Sequence, residues 1–143
     1  MTIRQISIFV ENRRGRLAEI TGVLSDNNID IRALSIADTS DFGILRIIVN
    51  NPDKAVGTLK KAGVTVSVTD VLAVRIADEP GGLHSILEVL SGKDIALEYA
   101  YAFVTRRDSD AYVILRVENN AEAVDVLTKA GKSFLNPGEI YDL

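Results

Sequence analysis

Hydrophobic and polar positions follow a definite order in the first half of the chain. Ile6, Ile8 and Val10 alternate with their neighbours, which predicts a half-buried β-strand. The next apolar residues, from Leu17 to Leu24, recur at the three- and four-residue spacing of a helix. The rest of this half predicts a second strand, a third strand, a second helix and a fourth strand: residues 29–37, 44–49, 52–62 and 64–71.

Three residues mark the bounds of the second predicted helix. Asn51 is a favourable capping residue, and Pro52 would occupy the first helical position, where a missing N–H costs nothing. Gly63 stands where a left-handed residue would end the helix. The local sequence therefore agrees with the hydrophobic pattern.

The same order of residues occurs twice. The segment Gly15–Ile29 recurs as Gly81–Ile95 at an offset of 66, and Val49–Gly63 recurs as Val117–Gly131 at an offset of 68. Such self-similarity is the signature of a duplicated structural unit. We call the two halves copy one and copy two.

Copy two predicts the same six elements. They are a strand at 72–77, a helix from Leu83 that Gly92 ends, strands at 96–105 and 112–117, a helix at 121–130 and a last strand at 134–141. Its two extra residues fall between Ile95 and Val117, so we expect the hairpin tip at 105–110 to be longer than the tip at 38–41.

Strand–helix–strand–strand–helix–strand is the ferredoxin-like βαββαβ arrangement, with two helices on one face of an antiparallel sheet. We therefore predict an α+β protein of two tandem repeats, residues 1–71 and 72–143. Apolar groups lie on both faces of the predicted strands, whereas helices can cover only one. The other face needs the sister repeat or a second chain, so we expect a homo-oligomer, most simply a dimer.

The amino-acid composition narrows the range of possible functions. The 143 residues are 47% hydrophobic and 25% charged, as in a globular domain, and the net charge is −4, which disfavours nucleic acid or an anionic membrane as a partner. Cysteine is absent and His84 is the one histidine, so we expect no disulfide, metal site or cofactor. Neither a signal peptide nor a membrane-spanning run is recognisable, which predicts a cytoplasmic protein.

The loop before the first helix of each copy is the best candidate for chemistry. Its glycine, Gly15 or Gly81, would open the helix entrance, where unpaired N–H groups and the helix dipole favour a carboxylate. Asn12 or Asp78, just before it, could accept hydrogen bonds from an ammonium group. The loops thus suit a free α-amino acid, although a glycine here could also serve the turn alone.

The copy-two loop, Asp78–Leu83, reads DEPGGL and resembles the D-x-P-G-x-L motif of the ACT domain family. The resemblance covers almost the whole chain as two ACT repeats. Copy one departs from the motif, with Arg14 in place of proline and Asn12 in place of aspartate.

The resemblance implies regulatory binding of a small molecule, usually an amino acid. It places the ligand between the strand-one/helix-one loop of one domain and the start of strand two of its neighbour. Carried over by position, the ligand-binding residues of copy one would be Asn12, Arg14, Gly15, Leu17, Asn28 and Ile29. Those of copy two would be Asp78, Pro80, Gly81, Gly82, Leu83, Asp94 and Ile95.

These observations favour a sensor without a catalytic domain of its own, acting through assembly or through a regulated enzyme partner. The alternative is a structural or oligomerisation module that has lost ligand binding. An enzyme of acylphosphatase type would need a phosphate cradle, and Glu79 and Pro80 replace the two arginines of copy one. An RRM-like RNA binder would need exposed aromatic residues, which the strand at 44–48 lacks.

Charged residues near the loops have two interpretations each. Arg13, Arg14 and Arg16 could form a solvated positive patch or could capture a ligand carboxylate. His84, in the first helical turn of copy two, could lie on the surface or contact the ligand, and only the second case makes binding depend on pH near 6.5.

Overall fold

The computed structural model describes residues 2–38, 41–104 and 110–141. Along the chain the elements are β1 (Ile3–Glu11), α1 (Arg16–Asp26), β2 (Ile31–Asp38), β3 (Phe42–Val49), α2 (Pro52–Lys61), β4 (Val66–Ala77), α3 (Gly82–Gly92), β5 (Leu97–Ala102), β6 (Asp110–Val117), α4 (Asn120–Lys129) and α5 (Pro137–Tyr141). They form two compact units, the first of residues 4–69 and the second of residues 70–141 with residues 2 and 3.

The first unit is a four-stranded sheet in the order β2-β3-β1-β4. β3 pairs antiparallel with both β1 and β2, with Leu45 opposite Ile8 and opposite Ile36. Alternate residues of β1 and β3 pack with both helices in one core, so α1 and α2 cover the same face. That core includes Ile6, Ile8, Ile20, Leu24, Leu45, Ile47, Ala55 and Leu59.

The second unit repeats this arrangement, with strands in the order β5-β6-β4. Val74 lies opposite Val113 in the β4–β6 pair, and Tyr101 lies opposite Ile114 in the β5–β6 pair. α3 and α4 share one core with these strands, which includes Leu72, Val74, Ile86, Leu90, Leu115, Ala123 and Leu127. The predicted ferredoxin-like repeats are thus confirmed.

β4 is one unbroken strand of 12 residues, where the hydrophobic pattern predicts two. Its N-terminal half lies beside β1, where the Phe9 N–H donates to the Thr65 carbonyl at 3.1 Å. Its C-terminal half pairs with β6. The boundary that the sequence predicts, between residues 71 and 72, falls inside this strand.

The predicted bounds of α2 are confirmed. The Asn51 side chain accepts a hydrogen bond from the Lys54 N–H at 3.2 Å, and Gly63 has φ +78°. In α4, Asn119 caps the Glu122 N–H in the same way, at 3.1 Å.

The predicted last strand at 134–141 is wrong over most of its length. Only Phe134 forms a bridge, with Val74, and the chain then turns into α5. Two reciprocal hydrogen bonds explain the turn: the Glu139 N–H donates to Asn136 Oδ1 at 3.1 Å, and the Asn136 N–H donates to Glu139 Oε2 at 3.0 Å. This capping box starts a helix and so competes with the strand.

α3 ends at Gly92, as predicted, and the left-handed residue follows two positions later. Asp94 has φ +55°, as its counterpart Asn28 has φ +56° after α1. Asn and Asp tolerate this conformation better than other residues with side chains. Each is followed by an isoleucine whose N–H returns to the helix, at 2.9 Å for Ile29 and 3.0 Å for Ile95.

Each strand that follows these turns carries a β-bulge, between Ile31 and Ala33 in β2 and between Leu97 and Tyr99 in β5. The longer hairpin tip predicted at 105–110 lies, apart from Asp110, outside the described residues, as do residues 39 and 40 of its counterpart.

Candidate functional site

The two glycine loops have the same backbone. Gly15 has φ +82° and ψ −5°, and Gly81 has φ +89° and ψ −5°. In each, the glycine carbonyl accepts the first helical hydrogen bond, at 3.0 Å from the Glu19 N–H and 3.0 Å from the Ser85 N–H. Positive φ is costly for residues with a side chain, so both positions require glycine for the turn itself.

The starts of α1 and α3 differ from those of the other helices in each unit. Asn51 and Asn119 cap α2 and α4 with a side-chain oxygen. Among the described residues, no side chain forms such a cap at Gly15 or Gly81. The Arg16 and Gly82 N–H groups already donate to the Arg13 and Glu79 carbonyls, at 3.3 and 3.1 Å, so the next N–H groups of each first turn are the ones that could receive an anion, which the helix dipole favours.

The copy-one loop also carries a network of ion pairs. Arg13 donates to both carboxylate oxygens of Glu19, at 3.0 and 2.9 Å. Arg16 bonds the same Glu19 at 3.1 Å and pairs with Glu11 at 2.7 Å. The hydrogen bonds from Arg13, and next those from Arg16, lower the pKa of Glu19. Two of the three candidate arginines are thus paired within their own loop.

Arg14 is exposed and forms no ion pair with the described residues. Among the three arginines, it is therefore the one that could meet a ligand without first leaving a carboxylate.

The copy-two loop has close packing against its own backbone in place of the ion-pair network of copy one. Its counterparts of Arg16 and Glu19 are Gly82 and Ser85. A Cβ added at Gly82 would lie 2.2 Å from the Ala77 carbonyl oxygen, so residue 82 must be glycine. Ser85 accepts a hydrogen bond from Lys132 Nζ at 2.6 Å. The second glycine of the motif is therefore explained by packing within the loop.

An exposed leucine follows each glycine loop, Leu17 at 39% and Leu83 at 41% of full exposure. A small cavity of about 180 Å³ lies beside the copy-one loop and is lined by Val10, Glu11, Asn12, Arg13, Leu17, Ile36, Asp38 and Gly43. The structure thus brings Asn12 and Leu17 together, beside two carboxylates.

The remaining predicted residues of copy one lie at the other end of α1. Asn28 and Ile29 line a separate groove of about 550 Å³, and Ile29 is itself buried in the core. The 11 residues of α1 span about 16 Å, so these residues do not join Gly15 within the first unit.

The predicted ligand-binding residues of copy two are likewise divided between the two ends of a helix. Asp78 and Pro80 are exposed in the glycine loop, whereas Asp94 and Ile95 line a groove of about 480 Å³ at the other end of α3. His84 lies on the surface, with Nε2 3.8 Å from Glu88 Oε2.

Sequence reasoning missed two charged residues of the copy-one groove, Asp30 and Arg32. The feature of the sequence that could have identified them was Arg32, a cationic residue inside the apolar run at 29–37. In the described ranges 2–38, 41–104 and 110–141 no cluster of three or more metal-ligating side chains occurs, and no helix is long and apolar enough to cross a membrane.

Two ferredoxin-like repeats, each with a glycine loop before its first helix, define a tandem α+β domain pair. The family model described as ACT domain pair matches residues 1–143, so the chain belongs to the ACT domain family. The match covers all of these residues as a domain pair, and no catalytic domain is found within them.

Solved structures agree with this assignment. Protein BT0572 from Bacteroides thetaiotaomicron is 39% identical with a TM-score of 0.92, over 100% of this chain and 98% of that one. The regulatory subunit of aspartate kinase from Thermus thermophilus is 13% identical with a TM-score of 0.62, over 89% of this chain and 91% of that one. The corresponding subunit from Thermus flavus is 14% identical with a TM-score of 0.59, over 90% and 92%. The two kinase subunits share the fold, and no curated protein matches the sequence.

Proposed function

We propose that the chain is a regulatory protein that binds a free amino acid through its glycine loops. The observation that carries this proposal is the pair of uncapped helix starts at Gly15 and Gly81, each beside an exposed leucine. The N–H groups of a helix start would receive the carboxylate, and Asn12 or Asp78 would receive the ammonium group.

Each repeat, residues 1–71 and 72–143, supplies one loop in this proposal. The start of the second strand of a neighbouring repeat completes the site, as the family resemblance implies, so Asn28, Ile29, Asp94 and Ile95 serve a neighbour's loop. The ligand then favours one arrangement of repeats, and the output passes to a regulated partner or to self-association.

The ion pairs of the copy-one loop favour a second candidate for that repeat alone. Arg13 and Arg16 tie β1 to α1 through Glu11 and Glu19, which is what a structural module needs. In this case only copy two would retain a ligand.

Thermal unfolding of the full chain with each of the twenty amino acids tests the proposal. An amino acid at about 100 times its Kd stabilises a protein by about 2.7 kcal/mol, which at this size raises Tm by on the order of 8 °C. The expected result is such a shift for one amino acid or a few related ones. If none moves the transition at millimolar concentration, the chain is not an amino-acid sensor.

A further inference from the structure

β2 and β5 are the edge strands of their units. Among the described residues, β2 pairs with β3 alone, and β5 pairs with β6 alone. The open side of an edge strand is a template on which another strand can pair. Which strand fits there depends on the side chains that each edge presents on its two faces.

The β2 edge carries large apolar side chains on the face that the helices cover. Leu34 lies opposite Ile47, and Ile36 lies opposite Leu45; both partners belong to the core of the first unit. Leu34 and Ile36 are nevertheless 41% and 52% exposed. Fully burying a leucine or isoleucine side chain contributes about 1.5–3 kcal/mol, so this part of the edge would gain stability from being covered.

The β5 edge carries alanine at the equivalent positions. Ala100 lies opposite Leu115, and Ala102 lies opposite Val113, both in the core of the second unit. The two alanines are exposed. The edge of β5 is therefore recessed on the helix-covered face, where the edge of β2 protrudes.

On the opposite face of each sheet the sizes are reversed. β5 carries Tyr99 and Tyr101 there, with ring centroids 6.4 Å apart, and the aromatic row continues with Phe103 just after the strand. Successive strand residues alternate between faces, so β2 presents three small residues on this face. They are Ala33, Ser35 and Ala37.

These sizes decide which edges can pack together. Neighbouring antiparallel strands hold the Cβ atoms of one face about 4.5–5.5 Å apart. Two β2 edges would bring large side chains against large ones on one face and small against small on the other, and two β5 edges would do the same with the faces exchanged. A β2 edge beside a β5 edge places large against small on both faces, which is what close packing requires.

We propose that two molecules of this chain associate through unlike edges, with β2 of one molecule pairing antiparallel with β5 of the other. Each chain has one edge of each kind, so the contact can close as a pair or a ring, or extend as a filament. The contact goes beyond the proposed function, because it needs neither a ligand nor the glycine loops.

Sedimentation velocity of the ligand-free full chain tests this contact. Leu34→Glu places a charge on the β2 edge, and Ala100→Glu places one on the β5 edge; both positions are exposed, so the variants should fold. Each variant alone should raise the Kd of self-association by at least about tenfold, equivalent to ~1.4 kcal/mol. Mixing the two variants should restore association as a 1:1 pair, because the intact β5 of one meets the intact β2 of the other.

Phe9→Glu is the matched control for these charge substitutions. Phe9 is 46% exposed on β1, which lies between β3 and β4 and so away from both edges. The variant makes the same change from an exposed apolar residue to glutamate, but on a sheet face. It should associate as wild type does.

An exchange of sizes tests the packing without adding charge. Ala100→Leu fills the recess on β5 and should weaken association, because the large side chains of β2 then meet another large one. Adding Leu34→Ala to the same chain makes room again and should recover part of the loss. A further loss in the double variant would contradict the match of large and small residues.

Four other results would overturn the unlike-edge contact. Wild-type protein that stays monomeric at millimolar concentration would exclude it. Loss of association in only one of Leu34→Glu and Ala100→Glu would indicate pairing of like edges. Loss in both without recovery on mixing would exclude pairing of β2 with β5, and loss in Phe9→Glu alone would indicate packing of sheet faces. None of these results bears on the thermal-shift test of amino-acid binding.

Discussion

Arg13 and Glu19 form a two-pronged ion pair across the copy-one loop, with nitrogen–oxygen distances of 3.0 and 2.9 Å. Residue 13 precedes the helix and residue 19 lies in its first turn, so the pair ties the loop to α1. In copy two the same positions hold Glu79 and Ser85, and the tie is absent. The duplicated loops therefore share a backbone conformation, but only the copy-one loop is tied to its helix by this ion pair.

The contribution of this ion pair to stability should depend on pH. The hydrogen bonds from Arg13, followed by those from Arg16, lower the pKa of Glu19 below its ordinary value of 4.5. The carboxylate thus contributes stability that is fully present above pH 4.5 and is lost as the pH falls through the lowered value. Tm measured from pH 7 to pH 3 should fall more steeply for wild type than for Glu19→Gln.

Glu118→Gln is the control for that comparison. Glu118 is exposed and forms no ion pair in the described part of the chain. Its substitution should leave the slope of Tm against pH as in wild type. Parallel curves for wild type and Glu19→Gln would show that the ion pair contributes nothing in solution.

The two asparagine caps should contribute similar stability. Asn51 and Asn119 each accept one backbone N–H, at 3.2 and 3.1 Å. Replacing either by alanine should lower the free energy of unfolding by about 1 kcal/mol, measured by urea denaturation. Asp at either position retains an acceptor oxygen and should stay close to wild type. Equal losses for Ala and Asp would argue against capping as the cause.

Much of the fold follows from local sequence. The duplication and the alternation of apolar residues predict both sheets, and Asn51, Pro52 and Gly63 predict the bounds of α2. These succeed because periodicity and capping are local properties. The helix α5 was predictable too, since Asn136 and Glu139 have capping-box spacing, but the repeat led us to expect a strand.

The candidate site was predictable only in part. The left-handed glycines can be anticipated from the motif, since a strand-to-helix turn often needs one. The bulge that aims Arg32 into a cavity depends on the pairing of β2 with β3, which no local pattern reveals. The 2.2 Å approach to the Ala77 carbonyl at Gly82 is likewise a property of the folded loop.

The close contact that a Cβ at residue 82 would make with the Ala77 carbonyl oxygen predicts how a substitution there changes stability. In Gly82→Ala the new methyl group would collide with the Ala77 carbonyl, which is backbone and cannot easily move. The free energy of unfolding should fall by about 1–3 kcal/mol in chemical denaturation. Gly57→Ala is the matched control, because a Cβ there meets nothing within 4 Å in the interior of α2. It should stabilise by up to about 1 kcal/mol, and similar losses in both variants would contradict the packing argument.

A negatively charged side chain placed beside a glycine loop should weaken ligand binding without disturbing the fold. Gly81 itself is a poor choice, because its φ of +89° makes any substitution strained. Leu83 is exposed and lies in the first turn of α3, where an acidic side chain suits the helix dipole. Leu83→Glu should therefore fold, with stability within about 0.5 kcal/mol of wild type, yet repel the carboxylate of the ligand. The ligand-induced shift in Tm should decrease in Leu83→Glu, disappear when Leu17→Glu is combined with it, and persist in the uncharged Leu83→Gln. If the shift survives in the double variant that combines Leu83→Glu with the equivalent Leu17→Glu of copy one, the glycine loops do not form the amino-acid site.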